Sequence, residues 1–178
     1  VYNWRVGSGD LGLAADWTNA TIGENPASTA PGAADSPSFS GAGGTITGNA
    51  AYVGLTIGSA SATAWNFAGN VTTNAAIVTG PTVFSNGAQL VVSRATAPVS
   101  YPLSIGSPSA GAASLTVTGS GSVVDSSQYG AYIGGQAGFT GTLSIYNGGV
   151  ARFGTVNYSG FSSLSLGQVG TGAISVTG

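Results

Sequence analysis

Few side chains in this sequence can carry ionic or nucleophilic chemistry. The carboxylates are Asp10, Asp16, Glu24, Asp35 and Asp125; the basic groups are Arg5, Arg94 and Arg152. Histidine, cysteine, methionine and lysine are absent. A Ser-His-Asp triad and a Cys-His pair are therefore impossible, and so is a Ser-Lys dyad. No G-x-S-x-G elbow is present. A glycosidase needs two facing carboxylates, yet beyond residue 45 only Asp125 is available. Asp125 with Arg94 or Arg152 reads as a solvated pair or a turn residue.

The N-terminal acids Asp10, Asp16, Glu24 and Asp35 have oxygens suited to calcium. Their spacing matches neither the D-x-[DN]-x-[DN]-G loop nor the nonapeptide calcium repeat. They read as solvated turn residues and local caps. The expectation is a non-enzymatic chain with no cofactor and no metal.

The remaining candidate contacts are aromatic. Tyr129, Tyr132, Tyr146, Tyr158 and Phe161 gather in the C-terminal third and are candidates for contacting a carbohydrate. They are equally suited to filling half-buried strand positions. Trp4 and Trp17 read as a plug over one end of the core, with a sugar-stacking platform as the alternative. Thr-x-Thr pairs at Thr45/Thr47 and Thr116/Thr118 raise ice or surface binding. The matching positions Asn66/Ala68, Ser144/Tyr146 and Ser175/Thr177 do not continue a regular threonine array.

What must position these residues is a repeat. Leu115-Thr116-Val117-Thr118-Gly119 recurs as Leu143-Ser144-Ile145 and as Ile174-Ser175-Val176-Thr177-Gly178. Each copy follows Ile105-Gly106, Ile133-Gly134 or Leu166-Gly167. Weaker copies are Trp65-Asn66-Phe67 and Leu90-Val91-Val92. Their first residues, 65, 90, 115, 143 and 174, are spaced by 25, 25, 28 and 31. Period-two alternation puts the first and third side chains of each run on one strand face. Gly, Ser, Asn and Pro clusters separate the runs and supply turns.

A sandwich or barrel requires no such long period. A parallel β-helix does, because equivalent residues stack one strand spacing apart, about 4.8 Å. The expected fold is therefore all-β: a right-handed parallel β-helix with an irregular N-terminal cap. Handedness follows the general rule for parallel connections. Residues 1–44 form the cap and residues 45–178 form coils of roughly 25–31 residues. Trp65, Leu90, Leu115, Leu143 and Ile174 should make one internal ladder. Phe67, Val92, Val117, Ile145 and Val176 should make a second. Ser8 or Asp10 is expected to cap one helical turn, and residues 25–37 an irregular loop. The run ending at Gly178 with no closing element reads as part of a longer protein, or as an end that another chain covers.

Composition agrees. Only 4% of residues are charged, against about 25% in ordinary soluble domains. The surface is therefore built from Ser, Thr, Asn and Gly. A hydrophobic content of 42% argues against disorder. With three arginines and no basic cluster, phosphate neutralisation is not available and nucleic-acid binding is not expected. No apolar run approaches the roughly 20 residues of a membrane span, so membrane insertion by this segment is not expected.

The units LSIGSPSAGAASLTVTGSGSVV, YIGGQAGFTGTLSIYNGGV and LSLGQVGTGAISVTG resemble the repeats of bacterial autotransporter passenger domains and related surface β-helix proteins. In those, stretches of the form IG-x-x-G-x-G-x-L-x-V-x-G-G-x-V are common. SGDLGLAADWTN and PGAADSPSFSGAGGTITG are similar to the segment that often precedes such repeats, with Leu11 where tryptophan is usual and Asp16 where asparagine is. The resemblance implies a passenger segment displayed on a bacterial outer surface and delivered by a separate C-terminal membrane barrel. It implies adhesion or self-association, with a second copy, a surface glycan or a host protein as partner. It transfers no catalytic residue.

Overall fold

The computed structural model describes residues 1–59, 61–93, 102–106, 112–135, 137–154, 164–167 and 170–178. The chain opens with β1 (Tyr2–Trp4), β2 (Gly9–Asp10), a 3-10 turn at Ala14–Asp16, and β3 (Trp17–Asn19). After a long connection come β4 (Ser38–Phe39), β5 (Gly44–Thr47) and β6 (Ala50–Tyr52). Then follow β7 (Leu55–Ile57), β8 (Trp65–Phe67) and β9 (Asn70–Thr73), and β10 (Ala76–Val78), β11 (Pro81–Phe84) and β12 (Gln89–Val92). The C-terminal half holds β13 (Leu103–Ile105), β14 (Ala112–Thr118) and β15 (Val123–Ser126), then β16 (Ala131–Ile133), β17 (Thr140–Tyr146) and β18 (Val150–Phe153). It ends with β19 (Leu164–Leu166) and β20 (Thr171–Thr177).

From β4 onward, strands three apart in this order lie side by side. Sheet A runs β19-β16-β13-β10-β7-β4-β1-β3, sheet B runs β2-β5-β8-β11-β14-β17-β20, and sheet C runs β18-β15-β12-β9-β6. All pairings between these strands are parallel except β1 with β3. The protein is thus all-β, built from long parallel sheets visited in rotation. This arrangement is compatible with a parallel β-helix. β1, β2 and β4, from the first 44 residues, already belong to the same sheets as the later strands.

The expected internal ladder is present in its C-terminal part. Leu115 pairs with Leu143 and Leu143 with Ile174; Val117 pairs with Ile145 and Ile145 with Val176. Leu115, Val117 and Leu143 are fully buried. Each such aliphatic side chain contributes about 1.5–3 kcal/mol of burial free energy before chain entropy is subtracted. Val176, on the last strand of sheet B, is 68% exposed.

Higher up, the ladder differs from expectation. Leu115 pairs with Thr82, and Thr82 with Trp65; Val117 pairs with Phe84, and Phe84 with Phe67. Leu90 and Val92 lie instead in sheet C, where Leu90 stands between Val71 and Val124. The reason is physical. All three sheets need the same in-out alternation, so Leu90-Val91-Val92 carries the same pattern as a sheet B strand. A short step from Trp65 to Thr82 and a long one from Thr82 to Leu115 also average to an even spacing.

The Ile-Gly and Leu-Gly pairs mark the corner after four sheet A strands, β7, β13, β16 and β19. Gly134 has φ +64°, and a Cβ there would lie 1.8 Å from the carbonyl oxygen of Thr171. Its amide donates to the Ile105 carbonyl one strand away. Gly141 packs into the same corner; its Cβ would lie 2.4 Å from the Gly134 nitrogen. Only glycine meets both the left-handed backbone and the close approach.

The N-terminal core is aromatic. Trp4 and Trp17 meet edge to face at 4.8 Å, and Phe39 packs on both. Phe39 also meets Trp65 and Phe67, and Phe67 stacks on Phe84 at 4.8 Å. Trp17 is fully buried and Trp4 nearly so, which leaves neither ring available as a sugar platform. The Trp17 indole donates to the Leu11 carbonyl. The helical turn expected after Ser8 is a short 3-10 turn without a side-chain cap. Ser8 Oγ instead accepts from the Thr45 amide, and Asp10 Oδ1 from the Gly12 amide.

Inward and outward positions of one strand should respond oppositely to charge. Val117→Asp places a carboxylate in the fully buried ladder and should destabilise by more than about 4 kcal/mol. Thr116→Asp, facing out on the same strand, should cost less than about 1 kcal/mol. Urea denaturation of the two variants tests this; equal losses would contradict the assignment.

Candidate functional site

In sheet B the last three strands, β14, β17 and β20, are each seven residues long and pair without a break. Alternation sends their odd-numbered register positions outward. These form four columns: Ala112, Thr140, Thr171; Ser114, Thr142, Ala173; Thr116, Ser144, Ser175; and Thr118, Tyr146, Thr177. Neighbours within a column lie about 4.8 Å apart, and columns lie about 6.6–6.8 Å apart. Nine of the twelve side chains are hydroxyl-bearing Ser or Thr, and none is charged.

These hydroxyls are not consumed by the fold. Among the described residues, Thr118 alone has a protein partner, the Asn147 Nδ2 donor at 3.5 Å. The others face solvent with one donor and two acceptor sites each. The side chain of Tyr146 stands in the fourth column and is 36% exposed. The chemistry on offer is uncharged hydrogen bonding over a regular sheet surface beside one aromatic ring.

The sequence pairs Thr116/Thr118, but alignment with Asn66/Ala68 hides the array. The array is confined to β14, β17 and β20, and only the seven-residue register reveals it. In the more N-terminal strands the third-column positions are Val83, Asn66 and Thr45.

The other candidate tyrosines do not join this face. Tyr132 faces outward from sheet A, and its phenol donates to the Gly135 carbonyl. Its ring fills the space where a Cβ on Gly135 would sit. Tyr129 lies in the turn between β15 and β16, where its amide donates to the Ser126 carbonyl and its carbonyl accepts from Gly154. Tyr158, Phe161 and Arg94 lie outside the described residues.

The acids act locally. Asp10 accepts from the Gly12 amide and the Thr47 hydroxyl, and Asp16 Oδ2 accepts from the Asp10 amide. Glu24 accepts from Ser28, and Asp35 from the Gly32 amide. Asp10 and Asp16 line a shallow hollow with Ser8, Leu13, Thr45 and Thr47. No cluster of three acidic, histidine or cysteine side chains with metal-binding geometry occurs among the described residues. Nor is any helix among them long and apolar enough to cross a membrane.

Asp125 and Arg152 are register partners in sheet C, with Nη1 and Oδ2 3.5 Å apart. Hydrogen bonding from Ser127, with the Arg152 guanidinium alongside, holds the Asp125 carboxyl below its usual range. In contrast, burial pushes the Tyr52 phenol well above its ordinary value, with the charges of Asp10 and Asp35 adding to the shift. The Tyr52 hydroxyl is buried without a hydrogen-bond partner.

No protein-family model matches this chain, and no curated protein or solved structure is similar enough to it to assign a family.

Two substitutions report on these groups. Tyr52→Phe removes an unsatisfied buried hydroxyl and should raise stability by about 1 kcal/mol, read as a higher urea midpoint. Asp125→Asn should cost about 0.2–1 kcal/mol near pH 7. A lowered folded-state pKa stabilises above the unfolded carboxylate pKa, and the gain is lost as pH falls through the folded value. The difference between Asp125→Asn and wild type should therefore close in acid; a gap that widens there would contradict the pairing.

Proposed function

We propose that this chain is a right-handed parallel β-helix serving as a structural, adhesive segment of a secreted or surface-displayed bacterial protein. It works by contact, not by catalysis. The right hand follows from the strong preference of parallel connections for that hand. The resemblance of its repeats to autotransporter passenger domains supports the surface location.

The observation that carries the adhesive reading is the outward face of β14, β17 and β20. It is uncharged, regular and rich in hydroxyls that the protein leaves unpaired. A surface with 4% charged residues offers little electrostatic repulsion to a second copy or to a neutral partner. Hydrogen bonds repeated along a ladder add up even where each contributes only about 0.5–1.5 kcal/mol.

A second reading, carbohydrate binding, is favoured by the exposed ring of Tyr146 within that face.

Sedimentation velocity over a wide concentration range tests the adhesive reading. Association should grow with concentration, change little with added salt, and vanish in the doubly substituted Thr116→Glu/Ser144→Glu protein. A strictly monomeric wild type at high concentration, together with no retention on any surface tested, would overturn it.

A further inference from the structure

We propose that the outward face of β14, β17 and β20 binds an extended, uncharged polysaccharide, with Tyr146 as its stacking platform. The inference rests on the adhesive reading and names the ligand class for that same face.

Charge restricts the ligand first. None of the three strands contains a charged residue, so anionic glycans, nucleic acids and acidic peptides meet no countercharge there. Hydrogen-bonding capacity restricts it next. Each free hydroxyl is both donor and acceptor, which complements the hydroxyl groups of a sugar. An aliphatic ligand would strand these hydroxyls without partners.

Tyr146 then distinguishes between ordered polar partners. It pairs in register with Thr118 on one side and Thr177 on the other. A bulky ring in the middle strand interrupts the flat plane that an ice surface would require. The same ring offers an apolar face with a polar edge, suited to the C–H face of a pyranose while flanking hydroxyls engage its rim. Repetition along the stack at about 4.8 Å gives a polymer several equivalent contacts at once, and linked contacts reinforce one another.

The test uses the whole chain. Retention is measured on microcrystalline cellulose and in gels containing dextran or mannan, with alginate as the anionic contrast. Wild type should be retained by at least one neutral polysaccharide and not by alginate, with no loss at raised salt. Tyr146→Ala should weaken that retention roughly tenfold, whereas Tyr146→Phe should stay within about threefold because the ring remains. Thr142→Glu should abolish it, and Thr56→Glu, outward on sheet A, should leave it unchanged. Matching thermal melts establish that each variant is folded. The inference is overturned if no neutral polysaccharide is retained, if only alginate is, or if Tyr146→Ala binds like wild type. Self-association that persists without polysaccharide retention overturns this inference and leaves the adhesive reading standing; loss of both overturns both.

Discussion

The structure depends on one constraint: from β4 onward, the backbone of each inner strand is hydrogen-bonded by the strand three places earlier and the strand three places later. A parallel sheet leaves few edges, because each strand serves as its neighbour's partner. The cost is register. A slip of one residue would turn every inward side chain outward. Leu115, Leu143 and Ile174 therefore stack on one another, and Val117, Ile145 and Val176 do likewise. The corner glycines follow from the same requirement. Gly134 and Gly141 let adjacent strands turn while their backbones stay in contact.

Register on the inside imposes register on the outside. Once Leu115 and Leu143 are fixed, Thr116 and Ser144 have no choice of position. The hydroxyl columns are thus the outer aspect of a ladder held by apolar contact within. Where strands are shorter, as in β8 and β11, the outer columns shrink and lose their uniformity. The N-terminal core is filled differently. Trp4, Trp17, Phe39, Trp65, Phe67 and Phe84 form a chain of ring contacts, and antiparallel β3 pairs with β1 as the edge strand of sheet A.

Much of the fold was legible in the sequence, because alternation and the recurring Ile-Gly pair are direct consequences of stacking. The inward positions of Leu115 and Val117 and the burial of Trp17 follow from residue types alone. What was not legible is which sheet a short run joins. Leu90-Val91-Val92 obeys the same alternation as Trp65-Asn66-Phe67, yet it lies in sheet C. Alternation encodes in and out but not the identity of the sheet; turn lengths set that. The hydroxyl face was hidden for a related reason. Its pattern exists across strands, and comparing Thr116/Thr118 with Asn66/Ala68 compares a long rung with a short one. The tyrosines grouped by proximity in sequence are separated by the fold, Tyr132 on sheet A and Tyr146 on sheet B.

The absence of cysteine makes the register directly measurable, since labels can be placed at chosen positions alone. Spin labels on Thr116→Cys and Ser144→Cys together should show strong dipolar broadening, because these residues are register partners about 4.8 Å apart along the stack. Labels on Thr56→Cys and Thr116→Cys, which lie on different sheets, should give the sum of the single-label spectra. A narrow, additive spectrum from the 116/144 pair in a fully folded protein would contradict the parallel in-register ladder on which the whole account rests.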